Sequence, residues 1–116
     1  MPFEGKYLFS ASMDISGDKL DLFHEVYDKE HVPLLSKVPG VVSIARLKKQ
    51  ELILAIGGKL ETIEIENEPS FTALYELESP DVIKSDAWME ASEQGRWPDH
   101  VRPYTFNRRH TLKRIM

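Results

Sequence analysis

The stretch from Leu20 to Val38 constrains the chain more than any other. Leu20, Phe23, Tyr27, Leu34, Leu35 and Val38 recur at threes, fours and sevens, which predicts one amphipathic helix with an apolar stripe facing a core. His24 and His31 fall on the same stripe. Burying an unpaired polar group costs on the order of 1–3 kcal/mol, so a Tyr and two His on a buried face each need a partner. Pro33 has no N–H. The carbonyl of Lys29 therefore loses its helical partner, and a kink is predicted there. Pro39-Gly40 stops the helix.

A helix with one apolar face must lie against something, and the rest of the chain supplies strands. Tyr7, Phe9, Ala11 and Met13 alternate with Leu8, Ser10 and Ser12 over Lys6 to Met13. Val41 to Lys49 is the second strand. Leu52 to Ile56 and Lys59 to Glu66 flank Gly57-Gly58, the pattern of a hairpin. Phe71 to Glu78 alternates with the greatest regularity, placing Phe71, Ala73, Tyr75 and Leu77 on one face. Ser79-Pro80-Asp81 opens a second helix, with a capping Ser, a proline in the first position and an acid in the first turn. It carries Val82, Ile83, Ala87, Trp88 and Ala91 inward, with a restart at Ser85-Asp86, and ends at Gly95. Arg96 to Arg102 reads as a loop, and the last strand runs from beyond Pro103 to Ile115. The order is β-α-β, a hairpin, then β-α-β. That is an α+β, ferredoxin-like βαββαβ plan with an inserted hairpin, occupying residues 1–116 as a single domain.

Composition narrows the function. With 116 residues, the core is thin for independent stability and gains from oligomerisation. The absence of cysteine removes disulfides, thiolate metal ligands and a cysteine nucleophile. No apolar run approaches the ~20 residues of a membrane span. The first residues lack the form of a secretory signal, so a cytoplasmic location is expected. A formal net charge of −4 argues against nucleic acid as the partner. Gly-rich phosphate loops, nucleophile elbows and paired-carboxylate motifs are missing.

His31 is the strongest candidate for chemistry. It follows Tyr27 by one turn and precedes the kinking proline by two residues. A neutral imidazole there can act as general base toward an acidic C–H or a phenol; the alternative is a core His bonded to a carbonyl. Tyr27 can donate to an oxygen on which charge develops, or serve as an amphipathic core aromatic. Tyr75 and Phe71 flank small Ala73, which leaves room for a cavity or for a helix. Trp88 lines that cavity or fills core, and Ser10 and Ser12 bind a ligand carbonyl or simply hydrogen-bond within the fold. His100 closes over the pocket with Trp97 and Arg102, or is a surface residue. His24 and His31 are two turns apart, about 10.5 Å, too far to share a metal, and no metal or cofactor is expected. Arg108, Arg109, Lys113 and Arg114 are read as balancing Glu61, Glu64, Glu66 and Glu76 on neighbouring strands or a partner subunit.

The set Tyr27, His31, Pro33-Leu34-Leu35, then Val38-Pro39-Gly40-Val41, the strand Ala73 to Leu77, Ser79-Pro80-Asp81-Val82, Ser85 with Ala87-Trp88, Arg102-Pro103 and Asn107-Arg108-Arg109 resembles the dimeric α+β barrel superfamily, in its EthD-like branch. The hairpin is longer than the usual connection in that branch. The resemblance implies a homodimer in which two four-stranded sheets form a barrel with helices outside, and a pocket between sheet and helices. It implies architecture more strongly than chemistry. The expected function is that of a small-molecule protein of catabolic or secondary metabolism. It would act on a hydrophobic, oxygenated or aromatic substrate by cofactor-independent isomerase, lyase or oxygenase chemistry, with His31 as acid/base and Tyr27 or Tyr75 as oxyanion donor. The alternatives are a non-catalytic ligand-binding or accessory protein with the same pocket, and a structural dimer without a ligand.

Overall fold

A computed structural model describes residues 2–116. Strands β1 (Tyr7–Ile15), β2 (Val41–Lys48), β5 (Phe71–Leu77) and β6 (Thr105–Arg114) form one sheet in the order β2-β5-β1-β6. Every pairing in it is antiparallel. This is the ferredoxin-like α+β arrangement, produced by two βαβ halves whose first strands meet at the centre. Alternation explains the layer: Ala11 and Met13 of β1 and Ala73 and Tyr75 of β5 are buried on one face, and the helices cover that face.

The stripe-bearing segment is one helix in three parts: α1 (Leu20–Val26), a π-turn over Tyr27–His31, and α2 (Val32–Ser36). Where a kink was expected from Pro33, the backbone widens by one residue instead, and the Val32 N–H donates to the Tyr27 carbonyl. The proline needs no donor in a turn already shifted out of α register. Val26, which lies off the predicted stripe, is also fully buried in the core.

The second helical segment divides where Ser85 suggested. A 3₁₀ turn over Pro80–Lys84 is capped by Ser79, and α3 (Asp86–Ser92) starts afresh with the Ser85 hydroxyl accepting from the Trp88 N–H at 3.1 Å. The segment read as a loop is ordered: Trp97–Val101 is a π-turn and Arg102–Tyr104 a 3₁₀ turn. Pro98 near the start of the turn fits, because the first N–H groups of a helix are unpaired anyway. This segment is pinned to the long helix by Glu30, which accepts from the Arg96 backbone N–H at 2.8 Å and from Arg96 Nε at 2.6 Å. Gly95, with φ of +72°, lets the chain pass: a Cβ there would stand 2.6 Å from Glu30 Oε1. Glu30 and Arg96 adjoin His31 and Trp97, so the same link sets those two rings face to face.

Two surfaces lie outside this core. The sheet face away from the helices carries Ser10, Ser12, Thr72 and Thr111. The predicted hairpin is present as β3 (Leu52–Ile56) and β4 (Lys59–Ile63), a separate two-stranded ribbon. Every residue of β3 is exposed, and Leu60 of β4 is 76% exposed. The ribbon helps raise the radius of gyration to 15.8 Å, against ~13 Å for a compact domain of 100 residues. No helix among the described residues is long and apolar enough to cross a membrane.

Candidate functional site

Between the sheet and the long helix lies a cavity of about 280 Å³. The π-turn presents Tyr27 and His31 to it, β5 presents Tyr75, and α3 presents Trp88. The ordered segment before β6 adds Trp97 and Arg102. Strand alternation adds Phe9 from β1 and His110 from β6. Arg108, next to an irregularity in the β1–β6 register, completes the rim.

His31 is held by rings rather than by hydrogen bonds. It stacks on Trp97, with centroids 4.4 Å apart and planes 22° apart, and Tyr27 meets it edge-on at 5.1 Å. Its Nδ1 is sealed from solvent with no hydrogen-bond partner among the described residues. The ring therefore reaches the cavity by its other edge. Burial, and then the positive charges of Arg102 and Arg108, lower its pKa from 6.5 to about 4. The imidazole is neutral at pH 7, with one nitrogen able to accept a proton and one able to donate.

The two tyrosines form a pair. Burial raises the pKa of both, Tyr75 well above the usual phenol, so both hydroxyls keep their protons at neutral pH. Aromatic contacts fix the pair: Tyr27 lies edge-on to Trp97 at 5.0 Å, and Tyr75 edge-on to Trp88 at 5.2 Å.

His24 stands apart from this cavity. Arg46 donates to its Nδ1 at 3.0 Å, pairs with Asp28 at 2.9 Å, and lies over the Tyr27 ring at 4.7 Å. Since Arg46 only donates, that nitrogen is an acceptor, and burial, then Arg46, lower the pKa of His24. Its place on the stripe is explained by this contact.

The structure brings His31, Tyr27, Tyr75 and Trp88 to one cavity and keeps four other expected pocket residues away. Ser10 and Ser12 point to the opposite sheet face, where their hydroxyls pair with Thr111 and Thr72. The face of β1 that meets the helices is the one carrying Phe9 and Ala11. Phe71 packs on Phe23 and His24 and borders a separate hollow with Leu20, Arg46 and Lys48. His100 is exposed on its turn and absent from the lining. Arg108 and His110 join the lining, although the basic run around them predicts a charge-balancing strand. The signal was the alternation itself, which sets Leu112 opposite Phe9 and His110 opposite Ala11. A larger surface hollow of about 450 Å³ lies at the hairpin's base, and its lining of Lys49, Glu51, Leu52, Glu64 and neighbours brings no aromatic or imidazole group. No group of three or more His, Asp or Glu placed to hold a metal occurs among the described residues.

No protein-family model matches the chain, and no curated protein matches it. Among solved structures it is similar to an ethyl tert-butyl ether D (EthD) family protein from Bacillus halodurans C-125. The TM-score is 0.55 with 10% identity, over 95% of this chain and 99% of that one. The likeness extends through nearly the whole of both chains, and the chain has the EthD-like α+β fold.

Proposed function

We propose that this protein belongs with the EthD-like proteins in function as well as fold, and that it handles a hydrophobic, oxygenated or aromatic small molecule in the His31 cavity. The observation that carries the reading is the convergence of His31, Tyr27 and Tyr75 on one aromatic-walled cavity. In the reaction best suited to these groups, neutral His31 takes a proton from a carbon next to a carbonyl. The C–H electron pair forms a double bond to the carbonyl carbon, the carbonyl π pair moves onto oxygen, and the Tyr27 hydroxyl donates to that oxygen as its charge grows. Returning the proton to another carbon is isomerisation; loss of a leaving group from the enolate is elimination. The chemistry is taken to need no bound cofactor, by resemblance to the branch.

The tautomerisation of an aryl 1,3-diketone, followed by the ultraviolet absorbance of its enol, tests this reading. Acceleration of about 10²-fold or more is expected from a positioned base, and His31→Asn should abolish it with the circular dichroism unchanged. A variant as fast as the parent would rule out His31 as the base. The low pKa of His31 favours a second reading, since a base near 4 is weak: the same pocket would bind and carry its ligand without turnover. In that case binding occurs but the parent protein does not accelerate the probe.

We further propose a homodimer, in the cytoplasm. A two-stranded ribbon is marginal in water on its own, and β3–β4 exposes Leu52, Ile53, Leu54, Ile56 and Leu60. Its acids, Glu51, Glu61 and Glu64, complement the exposed Arg109, Lys113 and Arg114 of β6 on a second copy. Light scattering at micromolar concentration should give twice the chain mass of 13.4 kDa. A strict monomer would remove the barrel.

A further inference from the structure

The cavity lining contains no carboxylate. Its charged or ionisable side chains are His31, Arg102, Arg108 and His110, together with the two tyrosines. Arg102 is already neutralised: its Nη1 donates to both Glu93 carboxylate oxygens, at 3.0 and 2.8 Å, and its Nη2 to the Ser92 carbonyl. Arg108 is different. It sits exposed at the rim, and its one hydrogen bond is a long 3.5 Å contact to the Thr105 hydroxyl. No ion pair holds it among the described residues. Its charge nonetheless reaches inward, where it lowers the pKa of both His31 and His110.

An unpaired guanidinium at the mouth of a cavity walled by Phe9, Trp88 and Trp97 fits one class of ligand. We infer that the site takes an aromatic anion, with its ring among those side chains and its carboxylate or phenolate oxygen on the Arg108 guanidinium. The guanidinium fork matches a planar carboxylate with two parallel hydrogen bonds. The volume, at the small end for ligand pockets, suits a molecule of one or two rings. The bound anion would also offset the field that disfavours imidazolium, and so raise the basicity of His31. This inference rests on the reading of the cavity as a small-molecule site and adds the charge of the ligand to it.

Both tryptophans of the chain line the cavity, so their fluorescence, excited at the red edge of the band, reports its occupancy. Phenylacetate and its neutral isostere phenylacetamide are the probes. Phenylacetate should bind about tenfold more tightly, the order expected for hydrogen bonds to a charged group. Arg108→Gln should reduce that preference to below about threefold, and Arg108→Lys should restore part of it, as the charge without the fork predicts. Equal binding of the two probes, or a preference unchanged in Arg108→Gln, overturns the anionic class and leaves the pocket standing. Failure of both probes to bind at millimolar concentration overturns the inference and the small-molecule reading together.

Discussion

Replacing Trp97 with alanine is expected to lower the stability by about 3–5 kcal/mol, the usual cost of removing a buried large aromatic. Native domains have only ~5–15 kcal/mol to lose, so urea unfolding should show a midpoint shifted by a large fraction, or no folded baseline at all. Trp97 is 3% exposed and touches Phe23, Tyr27 and His31 with ring centroids 6.2, 5.0 and 4.4 Å away. The consequence reaches beyond packing. Trp97 is the face against which His31 stacks, and burial is the largest cause of the lowered His31 pKa. Trp97→Phe keeps most of the fold but opens the site to water. NMR titration of the His31 ring should then find its pKa moved up toward 6.5. A Trp97→Phe protein whose His31 titrates as in the parent would show that the ring stack does not control the imidazole.

The route from sequence to this site was open in some places and closed in others, for physical reasons. Periodicity settled the stripe, because burial against a sheet requires it: Phe23, Tyr27, His31, Leu35 and Val38 are all buried. The sheet and its order followed from alternation and from two βαβ halves. Proline foretold a disturbance near residue 29 but not its form. A kink and a π-turn answer the same missing N–H, and the proline alone does not choose between them. The segment Arg96 to Arg102 escaped because its order is tertiary. Glu30, sixty-six positions away in the chain from Arg96, supplies the acceptor that turns it into a wall. The serines went to the wrong face because the register of β1 fixes a face only relative to where the helices lie. Arg108 and His110 were hidden by a run of positive charge that also looks like a solvated strand.

Acidification should destabilise the protein well before its carboxylates titrate. In the unfolded chain His31 takes a proton near 6.5; in the folded protein it does so only near 4. Between those values the unfolded state binds more protons, so stability rises with pH. Read downward, the loss begins as pH falls below about 6.5 and is complete below about 4. Each unit of separation corresponds to ~1.4 kcal/mol, so the whole step is about 3 kcal/mol, and most of it is reached by pH 4.5. His24 and His110, whose pKa values burial also lowers, act in the same direction but are more open to solvent and contribute less. The depressed carboxylates Asp14, Glu30 and Glu76 have ordinary values of 3.8, 4.5 and 4.5, so their stabilisation is lost only at the bottom of this range. Urea unfolding at pH 7.0, 5.5 and 4.5 separates the two regimes. The parent should lose about 2–3 kcal/mol across them. His31→Phe, which keeps a ring against Trp97 and cannot titrate, should lose less than half as much. Parallel curves for the two proteins would mean that His31 is not protonated on unfolding in this range, and that its burial is not what holds it neutral.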